Sequence, residues 1–464
     1  MNRLPVLFVT LLCMMLSACS LFFKPAAPAL GQAPQRVSAP SDAPSLELAP
    51  QWWSVFHDPV LDDLQNRLLQ GHLNMQLMAS KVRQAQASVA LAQSSLWPSW
   101  SLNAGVARAH EKSASANNLS LTAPLSWEWD VWGRLNAQAA AAQANLLASQ
   151  EDLALARLSA QSSLVQTYIA LRTAQRQSEV LAQATQAYTK ALSLTQIRYE
   201  AGVVSAADVA QAELQLRTTQ AQAVEVNSTR LQLQNALAVL LGEQPGALNL
   251  PATHVWMTTP SLPEVLPSSW VQQRPDIRAA SQRVLAAQAQ LGVAQAAFFP
   301  SFSFSANLGY RSSDLANLFS ASSLLWSLGP SMALNLIDGG QRQAAQDQAR
   351  AALDGAGISY RQTVLQALQE VEDNLMAAQQ LQQQALAQSQ AVEAAQRNLG
   401  IAQAQYNAGT VSYLNVVTAQ ASALSAQRSM LDIQSRQLLA STLLMKNLAA
   451  PWPTENTVTP LTSP

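Results

Sequence analysis

Residues 134–201 read RLNAQAAAAQANLLASQEDLALARLSAQSSLVQTYIALRTAQRQSEVLAQATQAYTKALSLTQIRYEA, about 68 residues with neither proline nor glycine. Ala, Gln and Leu dominate, and all three are good helix formers. Apolar residues recur seven apart: Leu146 and Leu153, Leu158 and Val165, Leu164 and Leu171, Leu181 and Tyr188. That is the spacing of a coiled-coil seam. At 1.5 Å per residue the helix is about 100 Å long, wider than any compact domain, so it belongs to something elongated. A second such stretch, residues 341–408, is interrupted only by Gly355, Gly357 and Gly400. The two rods start 207 residues apart, at Arg134 and Gln341, which reads as an internal duplication.

Composition narrows the function. The formal charge is −1 and only 12% of residues are charged, against the basic stripe that nucleic acid demands. An apolar fraction of 49% argues against a disordered chain. Residues 1–18 read as a signal peptide, with Arg3 as the basic start and Leu4 to Met15 as an apolar run too short to cross a bilayer as a helix. The run ends in Leu16-Ser17-Ala18-Cys19, which resembles the bacterial lipobox whose cysteine is acylated and becomes the mature N-terminus. Acyl chains on Cys19 would anchor the N-terminus in a membrane. Ser20, where lipoproteins kept at the inner membrane often carry Asp, points to the outer membrane. Cys13 leaves with the signal, so no thiol remains for a disulfide, a metal or a nucleophile.

Residues 19–50 carry Pro25, Pro28, Pro34, Pro40, Pro44 and Pro50 and read as an extended tether. Trp52-Trp53 and Phe56 open the folded part, and Asp58-Pro59 is a helix start. A helix over Val60–Leu96 follows, with Gly71 inside it. From residue 98 the period changes to two. Trp100, Leu102, Ala104 and Val106 alternate with Ser101, Asn103, Gly105 and Ala107. After a polar tip over His110–Asn118, Leu119, Leu121, Ala123, Leu125, Trp127 and Trp129 return against Ser120, Thr122, Ser126, Glu128 and Asp130. This is a β-hairpin over 98–130 with one apolar face. A second hairpin, 299–337, sets Phe302, Phe304, Ala306, Leu308 and Tyr310 against Ser301, Ser303, Ser305, Asn307 and Gly309, and returns through Leu324, Trp326, Leu328, Met332, Leu334 and Leu336. Strands of about ten residues, apolar on one side and aromatic near their ends, match outer-membrane barrel strands.

Each rod follows a hairpin, and each ends at a matching turn, Tyr199-Glu-Ala-Gly202-Val-Val-Ser205 or Tyr406-Asn-Ala-Gly409-Thr-Val-Ser412. The glycines are placed to end a helix in the left-handed conformation, and the serines to cap the next, with Asp208 or Asn415 three residues on. Return helices over 206–242 and 413–449 complete a first repeat, 51–244, and a second, 271–450, which opens with a helix near Arg274–Ala297. Between them Pro245, Pro251, Pro260, Pro263 and Pro267 mark a connector over 245–270, and 451–464 is a tail. The helix before each hairpin plus the helix after each turn equals one rod, so a rod lies beside a stacked pair. Four strands cannot close a barrel, and an open edge in lipid leaves backbone groups unpaired. The chain must therefore oligomerise, its strands forming a membrane-embedded cap on a hollow helical cylinder.

Taken in order, the lipobox, Trp52-Trp53 with Phe56-His57-Asp58-Pro59, Trp127 to Arg134, Arg274-Pro-Asp-Ile-Arg278, Phe299-Pro300-Ser301, Asp338-Gly339-Gly340 and the paired Tyr-x-x-Gly-x-x-Ser turns resemble the outer membrane factor family, the TolC-like and OprM-like channels, and within it the NodT-type lipoprotein branch. The resemblance covers nearly all the mature chain. It implies an α+β membrane protein, a homotrimer whose 12-stranded outer-membrane barrel, four strands per chain, continues as a periplasmic α-helical barrel. It also implies a passive duct in a tripartite efflux pump, exporting small molecules such as drugs, toxic compounds or metals. The implied partners are outer-membrane lipid, a periplasmic adaptor and an inner-membrane transporter of the RND, MFS or ABC type. The gate would lie at the helical tip, where Leu414 and Thr418 fall on the family's closing positions, beside the turn residues Gly202, Ser205, Asp208, Gly409 and Ser412. Relatives often carry Asp where this chain has Thr418, which argues against a cation-binding carboxylate ring at that level. Trp100, Trp127, Trp129, Trp132 and Trp326 would mark the membrane interface. A protein-secretion channel is the alternative, and a pore-free coiled-coil lipoprotein a third reading.

Enzymatic chemistry finds no anchor. His57, His72, His110 and His254 are scattered, without metal-ligand spacing, and neither a nucleophile elbow nor a phosphate-binding glycine loop is present. No cofactor is expected beyond the lipid on Cys19. Glu128 and Asp130, on one strand face, read as lumen-facing acids rather than a catalytic pair. Arg274 with Asp276 reads as a structural ion pair.

Overall fold

The computed structural model describes residues 51–111, 114–250, 256–260 and 273–448. The signal, Cys19, the tether, Pro251, Pro263 and Pro267 of the connector, and the tail lie outside the described residues. In chain order the elements are α1 (Pro59–Gly71), α2 (Leu73–Ser94), β1 (Ser99–Trp100), β2 (Asn103–Glu111), β3 (Ala114–Trp129), α3 (Arg134–Glu200), α4 (Ala206–Leu240), α5 (Pro275–Ala296), β4 (Ser301–Ser312), β5 (Leu324–Ala333), α6 (Gln341–Asn407) and α7 (Tyr413–Leu448). They fall into two compact units. The described residues of 87–145 and 281–361 make the sheet unit; those of 51–86, 146–280 and 362–448 make the helical unit.

The sheet is antiparallel throughout, in the order β1-β3-β4-β5, with β2 also on β3. Its register sorts the side chains. Trp129 opposes Phe302 and then Met332; Trp127 opposes Phe304 and Pro330; Leu125 opposes Ala306 and Leu328; Leu121 opposes Tyr310 and Leu324. Those rows are apolar or aromatic throughout, and polar residues join the face only toward the hairpin tip, where Leu119 opposes Ser312 and Asn117 opposes Arg108. The other face carries Glu128, Ser303 and Ser331 in one row, and Ser126, Ser305 and Gly329 in another.

Three features of the sheet depart from the sequence expectation. The outgoing strand of the first hairpin is broken into β1 and β2, because the unpaired stretch lies opposite Pro124. The proline carbonyl still accepts from Ser101 N–H at 3.1 Å, but its nitrogen has no hydrogen to return. The polar segment over 110–118 is not a loop: β2 runs to Glu111 and β3 starts at Ala114, with Asn117 and Asn118 paired to Arg108 and Ala107. Polarity there reflects what surrounds the strands, not how the backbone pairs. Conversely, the last strand stops at Ala333, short of Leu334 and Leu336.

The helical unit is held by heptad burial. Of the eight seam residues in α3, Leu146, Leu158, Leu164, Val165, Leu171, Leu181 and Tyr188 are buried, and Leu153 is half-buried. Trp52, Trp53 and Phe56 are each at most 3% exposed, which fixes the start of the folded chain against α3. Trp52 Nε1 donates to Gln161 Oε1 and Gln65 Nε2 to the Gln161 carbonyl. Asp58 Oδ1 caps α1 at Val60 N–H, while its Oδ2 accepts from Tyr168 O–H at 2.6 Å, and Arg172 donates to that same hydroxyl. Burial and the Asp58 carboxylate together push the Tyr168 phenol above its ordinary range. In the second half Arg274, 7% exposed, grips Asp276 and Glu370 and reaches the Asn447 carbonyl, joining α5, α6 and the end of α7.

The helix expected over 60–96 breaks at His72, and Gly71 is the reason. A Cβ on Gly71 would lie 2.0 Å from the Leu241 carbonyl oxygen, and one on Gly242 would lie 2.3 Å from the Gly71 oxygen. Two backbones touch where α4 ends, and the Arg67–Glu243 ion pair at 2.5 Å sits beside the contact. His72 takes extended backbone, and its Nδ1 accepts from Met75 N–H at 3.3 Å, restarting the helix as α2.

Candidate functional site: the helical tip and the uncovered sheet face

Both long helices end in the same turn. Gly202 and Gly409 each have φ +73°, the left-handed region where glycine carries no penalty. Val203 N–H bonds to the Arg198 carbonyl and Gly202 N–H to that of Tyr199; Thr410 and Gly409 repeat the pattern onto Gln405 and Tyr406. These bonds satisfy carbonyls that a helix end leaves orphaned. Ser205 then caps α4 in a reciprocal box: its hydroxyl accepts from Asp208 N–H, and the Asp208 carboxylate accepts from Ser205 N–H at 3.0 Å. In the second turn Asn415 N–H bonds to the Ser412 carbonyl at 3.1 Å.

Behind the turns lies a small core of Ala212, Ala402, Tyr413, Val416, Val417 and Ala419, with Leu192, Leu399 and Tyr406 against it. The Tyr406 and Tyr413 rings are 5.3 Å apart, and the Arg198 guanidinium sits 4.9 Å over the Tyr406 ring. Burial pushes the Tyr413 phenol up to about 12, with the neighbouring Tyr406 adding to the effect and a hydrogen bond with Thr195 opposing it. On the opposite face of α7, Leu414 is 56% exposed and Asn415 and Thr418 are exposed beside it. The Thr418 hydroxyl is tied back to the Leu414 carbonyl at 2.9 Å, so this face presents a leucine and a threonine methyl, with no carboxylate.

The passages from strand to helix form the second candidate region. Glu128 and Asp130, read from the sequence as lumen-facing acids, are both bonded to the start of α3. Glu128 takes Arg134 in a two-oxygen grip at 2.7 and 2.8 Å. Asp130 accepts from Leu135 N–H and Asn136 N–H at 2.9 and 2.8 Å, capping α3. A carboxylate at a helix N-terminus meets unpaired N–H groups and a partial positive charge, and both draw it in. Asp338 does the same work for α6, accepting from Gly340 N–H, Arg342 N–H and Arg342 Nε. Those donors hold its carboxyl below the usual range, the Arg342 side chain foremost.

The tryptophans expected at an interface are spread over this unit. Trp100, Trp129 and Trp326 are 78%, 64% and 73% exposed. Trp127 and Trp132 each spend the indole N–H on a backbone carbonyl, of Leu96 and Pro300, and Trp132 stacks on Phe299 at 4.7 Å. Val106, Leu308, Leu328 and Met332, all more than half exposed, fill the face between. Among the described residues no helix is long and apolar enough to cross a membrane. The tyrosine pair at the tip, the Asp58–Tyr168–Arg172 chain and the Gly71–Leu241 contact were not anticipated. One signal was available: an acid followed four residues later by arginine, Asp130/Arg134 and Asp338/Arg342, at the start of both rods.

The chain matches the family model described as outer membrane efflux protein over residues 64–243 and 266–450. It is 30% identical over 458 residues to the toluene efflux pump outer membrane protein TtgF of Pseudomonas putida, covering 94% of this chain and 95% of the relative. It is 28% identical to the cation efflux system protein CusC of Escherichia coli, covering 86% and 88%. The solved structure of the outer-membrane channel OprN superposes with a TM-score of 0.85 at 25% identity, over 94% of this chain and all of that one. Two long helices of equal length, their matching turns, a sheet with an apolar face and these likenesses lead to one conclusion: the chain belongs to the outer membrane efflux protein family.

Proposed function

We propose that three copies of this chain assemble into a passive export duct, their twelve strands closing a barrel in the outer membrane and their helices a barrel in the periplasm. The observation that carries this reading is the sheet. From the Trp129–Phe302 row to the Leu121–Tyr310 row one face is apolar, with Trp129, Leu308, Trp326, Leu328 and Met332 exposed on it, and both edges are open. Soluble proteins seldom leave an apolar patch of more than a few hundred Å² exposed. Lipid accepts such a face but not the open edges, which must pair with another copy. Strands of 9, 12 and 10 residues, β2, β4 and β5, have the length of membrane-spanning strands. On this reading the duplicated halves are two repeats, Cys19 carries the lipid and residues 19–50 are its leash. Trp100, Trp129 and Trp326 then lie at the membrane interface.

Gly202, Ser205, Asp208, Gly409 and Ser412 shape the periplasmic tip, where an adaptor docks and links the duct to an inner-membrane transporter. Leu414 and Thr418 line the constriction. The relatives named above export toluene or cations, which favours small molecules over secreted protein as cargo. The duct binds no cargo tightly and hydrolyses nothing. Purified protein in planar bilayers should conduct poorly until the tip opens, and Leu414→Ser should raise the conductance. An unchanged trace removes Leu414 from the gate; no conductance under any condition removes the duct.

A further inference from the structure

Within the helical unit a cleft of about 750 Å³ opens among α3, α4, α6 and α7. That volume suits a small organic molecule. The walls are unusual for such a site, because five glutamines and several hydroxyls outnumber the apolar Ala421, Leu424 and Ile433. Arg428, Asp432 and Arg436 stand along one wall at successive four-residue steps of α7, and therefore on one face. Two cations to one anion leave the wall net positive.

Arg428 is incompletely bonded. Its Nη1 reaches Gln222 Oε1 at 3.3 Å, a long contact, and its Nε–H is buried with no acceptor. A buried N–H without an acceptor is unfavourable, so a turn of the guanidinium that brings Nε to an acceptor in the cleft is favoured. The edge formed by Nε and the second terminal nitrogen is the planar fork that fits a carboxylate with two parallel hydrogen bonds. Gln222 and Gln388 stand on the facing walls, the Gln388 Nε2 spent on the Ala426 carbonyl, which leaves the Gln388 carbonyl oxygen and the Gln222 amide to meet the rest of the molecule. Asp432 sets the limit: it is a competing acceptor one turn away and repels the same ligand.

We propose that this cleft is a waypoint for small carboxylate-bearing organic anions, gripped by the fork of Arg428, drawn in by Arg436 and kept weakly held by Asp432. The biological sense of the site rests on the export reading, but its chemistry can be measured without a pump. The full chain, purified in a non-ionic detergent at fixed ionic strength, is titrated with 4-fluorobenzoate and 4-fluorobenzamide and followed by fluorine NMR. Benzoate binds more tightly than its neutral isostere. Arg428→Gln weakens benzoate about tenfold or more, since a charge-assisted pair of bonds is lost. Asp432→Asn, at an exposed position, tightens it several-fold, and neither change moves benzamide. Equal binding of acid and amide, or benzoate affinity indifferent to both substitutions, overturns the proposal while leaving conductance, and hence the export reading, untouched.

Discussion

The same chemical change, glycine to alanine, should have opposite effects at two positions of this chain. Gly71 faces the Leu241 carbonyl so closely that an added methyl carbon would sit 2.0 Å from its oxygen and 3.1 Å from its carbon. Ordinary contact requires the two backbones to part by roughly 1 Å or more. Both belong to helix ends pinned by buried Leu64, Leu68 and Leu237, so parting them costs about 1–3 kcal/mol, the scale of core overpacking. Alanine's helical advantage of about 1 kcal/mol offsets little of this, because Gly71 is the last residue of α1. Gly355 and Gly357 lie inside α6 with nothing within 4 Å of an added Cβ, so alanine there should stabilise by about 1 kcal/mol each. Hydrogen exchange read by mass spectrometry reports such local changes directly, since about 1.4 kcal/mol is a tenfold change in protection. Gly71→Ala should speed exchange roughly tenfold in peptides spanning 64–76 and 234–243 together. Gly355→Ala should slow it roughly fivefold around 351–361. Unchanged or slower exchange at both sites of the Gly71 contact would refute the reasoning, because the steric term would then be absent.

Two further outcomes follow from capping. Burial lowers the His72 pKa, and its Nδ1 accepts a backbone N–H, so the ring serves α2 only when neutral. The stabilisation is present above the unfolded pKa of about 6.5 and is lost as pH falls through the lower folded value. Acidification should therefore speed exchange in the first turn of α2, and His72→Asn, which caps without titrating, should abolish that pH dependence. Asp130→Ala removes the acceptor for two N–H groups of α3 and should cost about 1 kcal/mol, visible as faster exchange confined to residues 134–137.

What was legible in the sequence was whatever follows from periodicity. Absence of breakers plus a seven-residue seam places a rod over 134–201, and the helix runs Arg134–Glu200. Gly355, Gly357 and Gly400 do not interrupt α6, because an isolated glycine costs a long helix only about 1 kcal/mol. Strict alternation sorted the sheet faces correctly, since a strand offers only two. What stayed hidden depends on partners distant in the chain. Gly71 breaks a helix because of Leu241, and β1 separates from β2 because of Pro124; neither cause is local. The partners of Glu128 and Asp130 stayed hidden for a related reason. Glu128 keeps its place on the polar face of β3, but Arg134 and the N–H groups that Asp130 caps lie beyond the turn that ends the strand. At the tip, Gly202, Ser205 and Asp208 announced their turn by type and spacing. Tyr406 was visible as part of its turn, but its ring contact with Tyr413 was not, because that contact joins two helices across the turn.

The sheet alternates direction at every step, so β2 and β5, its two free margins, run oppositely. A neighbouring copy can add β2 to β5 and continue the pattern without a parallel joint, head to tail around a ring. By the alternation of the ladder, Pro330 turns its hydrogen-less nitrogen to the outer margin of β5, where no bond inside the chain is lost. Such a ring is only as good as its worst seam. On the proposed trimeric reading, a cell making sound and margin-defective subunits in equal amounts would hold about one wholly sound assembly in eight. A damaged allele of this gene should therefore behave as a dominant poison rather than a silent loss.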